Sequence, residues 1–274
     1  MKLTYLSFIL SILSLVAIAQ PKDHPHHERH YADVETIETE ELKIEIIRPH
    51  SQRSFSQFAA KIYNKTDDYI LIKKHAITFS SDEMGYGDKN PKEATIFIEP
   101  HGDVTRSIKV EGGIGFKVAV IEVKLDGFSK APAEGNPVET VEFKLKPEKN
   151  SIMIGPFAVT LKKWRFNTKE LTADFKLRYR GEALGMARES RIQIRTESGT
   201  VLANTEAKDK DFIMPPMKTR TVNVVRKFEK GQVGKNESVY IIWETALSEA
   251  ESTPIVVPGF TLKFDPEKTK KENK

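Results

Sequence analysis

Phe143-Lys144-Leu145-Lys146-Pro147-Glu148-Lys149 lies near the middle of the chain, and Leu262-Lys263-Phe264-Asp265-Pro266-Glu267-Lys268 lies near its end. Each begins with alternating apolar and polar residues and stops at the same Pro-Glu-Lys. Alternation with a period of two sends every second side chain to one face, the pattern of a half-buried strand. Proline, which has no N–H to donate, marks where such a strand ends.

The recurrence extends upstream. Phe97-Ile98-Glu99-Pro100, followed by Thr105-Arg106, Ile108 and Val110, has a counterpart in Phe212-Ile213-Met214-Pro215, Thr219-Arg220, Val222 and Val224. Phe58–Asn64 likewise lines up with Ala173–Tyr179. All three pairs are separated by 115–119 residues, so order and spacing agree. The reading is an internal duplication.

Between these landmarks the period stays at two. Leu42, Ile44 and Ile46 alternate with Lys43 and Glu45, and Val141, Phe143 and Leu145 with Glu142 and Lys144. Turn chemistry punctuates the runs at Asn64–Asp68, Met84–Asp88, Glu111–Gly113 and Gly135–Pro137. Only Glu182–Glu189 offers a short stretch of helical periodicity. Seven or so strands in each half is the arithmetic of an antiparallel sandwich. The sequence predicts an all-β chain of two duplicated β-sandwich domains, 36–149 and 150–266, meeting near Asn150.

In this strand pattern, and in the strand, Pro turn, strand feature at Phe97–Val110 and Phe212–Val224, the chain resembles tandem immunoglobulin-like domains of bacterial envelope proteins, especially the telokin-like type. The resemblance covers about residues 36–266 and carries no catalytic motif. It implies immunoglobulin-like sandwiches that serve as spacers, adhesive modules or docking surfaces.

The flanks read differently. Lys2 precedes the apolar run Leu6–Ala19, which ends in the small-x-small sequence Ala17-Ile18-Ala19, so residues 1–19 read as a signal peptide cut after Ala19. The run is short for a membrane span, and no transmembrane helix is expected in the mature chain. Secretion or a periplasmic location follows. Residues 20–35 are His-rich and, with the charged tail 267–274, are expected to be disordered. The 274 residues contain no cysteine, which excludes disulfides, thiolate metal sites and cysteine nucleophiles.

With 43 Lys+Arg against 39 Asp+Glu the chain lacks the strongly basic balance of a nucleic-acid binder, and no nucleic acid is expected. The charge is nevertheless uneven. Residues 31–147 hold 16 basic and 20 acidic side chains, and residues 151–274 hold 23 and 16. A basic second half suits an anionic partner, either a protein or an envelope polymer. Lys162, Lys163, Trp164 and Arg165 are the partner-binding candidates, three cations around an aromatic. Arg188, Arg191 and Arg195 lie on a neighbouring segment.

No catalytic residue stands out. Every histidine lies at or before position 101, and no Gly-x-Ser-x-Gly elbow, His-Glu-x-x-His helix or Walker loop is present. The leading expectation is an exported, non-catalytic interaction, adhesive or structural module, not an enzyme and without a cofactor. One alternative is an envelope protein that binds Zn or Cu through His24, His26, His27 and His30. Met214 and Met217 add a thioether pair. A second alternative is a carbohydrate-active hydrolase with unassigned carboxylates. Asp82, Glu83 and Asp88 form an acidic loop, and Asn64-Lys65-Thr66 and Asn236-Glu237-Ser238 are glycosylation sequons.

Overall fold

The computed structural model describes residues 27–81, 84–87, 95–112, 115–145, 149–204, 211–234 and 237–273. The expected signal peptide, His24, His26, the acidic loop Asp82, Glu83 and Asp88, and Asn236 lie outside these residues. The fold is all-β, built of several antiparallel sheets consistent with a β-sandwich type of architecture.

The first half contains β1 (Arg29–His30), β2 (Ile37–Glu38), β3 (Leu42–Gln52), β4 (Phe55–Asn64), β5 (Tyr69–Ile72) and β6 (Ile77–Ser81). After these come β7 (Met84–Gly87), β8 (Ile96–Ile98), β9 (Asp103–Glu111), β10 (Val120–Leu125) and β11 (Phe128–Ala131). The second half begins with β12 (Asn136–Pro137), β13 (Glu142–Lys144), β14 (Ser151–Ile154), β15 (Phe157–Phe166), β16 (Glu170–Tyr179), β17 (Leu184–Arg188) and β18 (Gln193–Thr196). It continues with β19 (Val201–Ala203), β20 (Asp211–Met214), β21 (Thr219–Lys227), β22 (Val239–Ile242) and β23 (Leu247–Ala250). Last come β24 (Thr253–Pro254), β25 (Phe260–Lys263) and the helix α1 (Pro266–Glu272).

Strand order repeats between the halves. Among the described residues, β1-β3-β4-β9 matches β14-β15-β16-β21, β25-β10-β6-β7 matches β13-β22-β18-β19, and β24-β11-β5-β8 matches β12-β23-β17-β20. In the first half β5 runs into β6 and β10 into β11, so their two sheets are arms of one bent layer. Gly127 sits at the bend with φ +83, where a Cβ would lie 2.6 Å from the Ala76 methyl and 2.7 Å from the Lys73 carbonyl. Only glycine fits there.

The last strands are exchanged. β12 and β13 follow β11 directly in sequence, yet they pair with β23 and β22 of the second half. β24 and β25, which follow β23, return to pair with β11 and β10 of the first half. Pairing therefore runs across the boundary expected at Asn150: residues 136–144 finish one unit, and residues 253–263 finish the other. Phe143 and Leu145 are buried in the core of the second unit, and Leu262 in that of the first. Burying such a side chain contributes about 2 kcal/mol, enough to hold a short strand in its slot.

Three charged side chains fasten the crossing segment. Arg188, only 4% exposed, donates to the backbone carbonyls of Ala133 and Glu134. Arg191 binds both carboxylate oxygens of Glu134 at 3.0 and 2.9 Å, and Arg195 grips Glu142 at 3.0 and 2.5 Å. Beneath them an apolar layer joins the halves, with Tyr69, Leu71 and Ala131 against Leu184, Met186 and Ala250.

That layer explains one departure from expectation. Glu182–Glu189, read as helical, holds strand β17 followed by a single 3-10 turn at Glu189–Arg191. Every residue of β17 is buried, because one face meets its own core and the other the layer between halves. A strand buried on both faces loses its alternation and imitates a short helix.

The flanks are more ordered than their composition suggests. β1 pairs with β3, and Tyr31 is fully buried with its hydroxyl 2.8 Å from Ser51 Oγ. The tail expected to be disordered forms α1, capped by Asp265, whose side chain accepts from the Lys268 N–H, with proline in the first turn. Both features favour helix initiation. The helix also has a partner: Thr269 Oγ1 accepts from the His30 N–H at 2.8 Å.

Candidate functional site

The residues singled out for binding lie on β15, and the geometry of that strand decides where each points. β15 pairs with β16 along its length, but the register shifts between Leu161 and Lys163. Lys162 is the extra residue of a β-bulge, which reverses the alternation beyond it. Before the bulge Phe157, Val159 and Leu161 face the core; after it Trp164 and Phe166 do.

Trp164 therefore does not share a face with the cations beside it. It is half-buried, packs against the core of the second unit, and with Phe166, Lys144, Leu145, Glu237, Ser238 and Val239 lines a shallow cavity of about 230 Å³. Lys162, Lys163 and Arg165 are exposed on the strand. Lys163 meets Asp174 at 3.1 Å, whereas Lys162 and Arg165 have no ion-pair partner among the described residues.

The outer face of this sheet gathers further cations that sequence reading did not connect. Leu171, Ala173, Phe175, Leu177 and Tyr179 of β16 are buried, which turns Lys176 and Arg178 outward with Thr172 and Asp174. Thr160 lies opposite Lys176, and Lys176 lies opposite Thr221. Ser151 completes that row from β14, its hydroxyl 2.9 Å from Thr160 Oγ1. The signal was present in the alternation of β16, but only register shows which rows adjoin β15. Arg188, Arg191 and Arg195 are not part of this face, since they hold the crossing segment.

Glu237, at the rim of the Trp164 cavity, accepts from the backbone N–H groups of Gly234 and Ser198. These bonds hold its carboxyl well below the usual range, at about 2. It ties two turns together as a permanent anion.

The metal reading fares differently at each position. His27 is exposed; His30 is half-buried in β1, stacked on His50 at 5.9 Å with Glu28 3.5 Å away. Burial pushes the His30 imidazole pKa down. Among the described residues no group of three or more His, Asp or Glu side chains is arranged to hold a metal ion. Met214 is fully buried while Met217 is 58% exposed beyond the turn, so the two thioethers do not converge. The first sequon is also closed: Asn64 is 3% exposed, and its amide donates to the carbonyls of Asp68 and Glu99 while its oxygen accepts from Thr66.

No helix among the described residues is long and apolar enough to cross a membrane. No family model matches the chain. No curated protein matches it either. Three solved structures show faint likenesses. A red sea bream transglutaminase shows 10% identity over 80% of this chain, with a TM-score of 0.21, and the match spans 31% of the transglutaminase. Procruciferin, an 11S globulin from Brassica napus, shows 6% identity over 86% of this chain and 88% of its own, with a TM-score of 0.18. AerE from Microcystis aeruginosa shows 6% identity over 78% and 97%, with a TM-score of 0.12.

Proposed function

We propose that this chain is an exported, non-catalytic interaction module of two duplicated immunoglobulin-like β-sandwiches, which presents the basic face of its second unit to an anionic partner. The observation that carries the reading is the cluster of exposed, unpaired cations Lys162, Arg165, Lys176 and Arg178 on the β15–β16 surface. Exposed cations left without ion-pair partners repel one another, and an anionic partner relieves that repulsion.

The repeated strand order supports the duplication, and the signal-like residues 1–19 support export. A binding role also agrees with the way carboxylates are employed: Glu134, Glu142 and Glu237 are all engaged in structural hydrogen bonds. Purified chain lacking residues 1–19 should bind envelope material from its source, and the Lys162→Gln, Lys163→Gln, Arg165→Gln variant should bind less while melting at the same temperature. Undiminished binding by that variant, or binding indifferent to salt, overturns the reading.

A further inference from the structure

We propose that the outer face of the β14–β15–β16–β21 sheet binds an acidic polysaccharide, laid flat across its rows of cations and hydroxyls. The proposal rests on the interaction-module reading above and deepens it by naming the ligand chemistry.

The two halves supply the comparison. In the matching sheet of the first unit, two outward lysines are ion-paired and a third lies against a ring, while Arg48, at the bulge of β3, is exposed without an ion-pair partner among the described residues. Lys43 meets Glu45 at 2.7 Å, Lys109 meets Glu111, and Lys61 lies 4.7 Å from the centre of the Tyr63 ring. The corresponding surface of the second unit retains Lys162, Arg165, Lys176 and Arg178 without ion-pair partners among the described residues. Strand order and position are the same, so the fold does not require this charge. The cluster of four such cations on β15 and β16 is found in the second unit.

Spacing favours an extended ligand. Successive outward residues on a strand are about 7 Å apart and neighbouring strands about 5 Å apart. Arg178 lies opposite Thr219, and Lys176 lies opposite Thr221 on one side and Thr160 on the other. Arg165 lies opposite Thr172. Each of these cations thus stands next to at least one hydroxyl in its own cross-strand row. A polymer carrying carboxylates and hydroxyls meets both kinds of group on such a lattice, the cations with charge-assisted bonds and the hydroxyls with neutral ones.

What the face lacks points the same way. Phe157, Trp164, Phe166, Phe175 and Tyr179 all turn to the other side, so no aromatic anchors the outer face. Protein interfaces concentrate their energy in such anchors, and single-stranded nucleic acids need them for stacking. Of its outward side chains only Met153, on the edge strand, is a markedly exposed large apolar group. A membrane-inserting surface needs more than one.

The test uses the full chain without residues 1–19, with polygalacturonate as probe and dextran as the neutral control, read by affinity electrophoresis. Polygalacturonate should retard the protein at low salt and fail to do so at about 1 M, where the screening length is about 3 Å. Both Lys162→Gln with Arg165→Gln and Lys176→Gln with Arg178→Gln should weaken retardation several-fold, and the four together by roughly tenfold, as exposed ion pairs contribute modestly each. Lys43→Gln, Lys61→Gln and Lys109→Gln, in the first unit, should change nothing. Thermal melts of each variant separate lost binding from lost folding.

Equal retardation of the four-fold variant, or of the chain by dextran, overturns the proposal. Tighter binding to phosphatidylglycerol vesicles or to single-stranded DNA than to polygalacturonate also overturns it. If envelope binding falls in the variants while polygalacturonate is ignored, the polysaccharide assignment fails and the interaction-module reading stands.

Discussion

Arg188 and Glu134 are 54 residues apart in sequence, yet the buried guanidinium of one donates to the backbone carbonyl of the other at 3.1 Å and lies 3.4 Å from its carboxylate. The two interactions differ in burial. The bond to the carbonyl is part-buried and made by a guanidinium only 4% exposed, whereas the Glu134 side chain is 74% exposed. Arg188→Met should therefore cost about 2–4 kcal/mol, because it leaves the carbonyls of Ala133 and Glu134 without their donor. Glu134→Gln should cost less than about 1 kcal/mol, as exposed ion pairs do. Urea denaturation of both variants checks the ordering, and equal losses would refute it.

The strand exchange predicts which fragments fold. Residues 132–252 contain every strand of the second unit, β12 to β23, and should melt cooperatively with β-type circular dichroism. Residues 150–268 lack β12 and β13 and carry β24 and β25 in their place. That fragment should be less stable, or should associate with the fragment 27–149. Size-exclusion chromatography of the two fragments, alone and mixed, distinguishes these outcomes from two independently stable halves.

Gly259, just before β25, tests the returning strand itself. A Cβ there would sit 2.5 Å from the Val123 carbonyl of β10, a backbone atom with little room to move. Gly259→Ala should destabilise the protein by about 2 kcal/mol through overpacking, and should speed hydrogen exchange in β10 before β22. Protection lost equally in both strands would count against it.

His30 gives the clasp of β1 and α1 a pH dependence. Burial sets its pKa below the unfolded value of 6.5; the nearby His50 and Lys268 act in the same direction, while Glu28 and Glu272 oppose them. The unfolded segment then takes up a proton before the folded one does, so stability falls as pH drops from 6.5 to the folded pKa and is constant below it. Amide exchange at Asp265, which donates to the His30 carbonyl at 3.0 Å, should quicken relative to the β4–β9 ladder as pH falls below 6.5. His30→Gln should abolish that extra dependence.

Much of this architecture was legible in the sequence. The matched runs ending in Pro-Glu-Lys mark equivalent slots, β13 and β25, and the Pro turns before β9 and β21 place left-handed residues at His101 and Met217. What alternation does not encode is partnership. Phe143 and Leu262 suit either slot, so the exchange depends on contacts distant in sequence, such as Arg195 with Glu142. The face was half legible for a similar reason. Lys162, Lys163 and Arg165 stand out as a run, but the bulge that sends Trp164 inward and the register that brings Lys176 and Arg178 alongside are properties of pairing.

The closure of the chain on itself has a mechanical consequence. The amide N–H of Glu28 donates to Asn273 Oδ1 at 3.3 Å, and the Asn273 amide donates back to the Glu28 carbonyl at 2.8 Å. Tension applied between these two residues reaches α1 and β1 first, then peels β25 from β10. The second unit is attached at both ends through β11 and β24, so it stays slack until that ladder opens. A tether at both points would extend in two steps, a short one that frees the clasp and a long one that releases the second unit still folded.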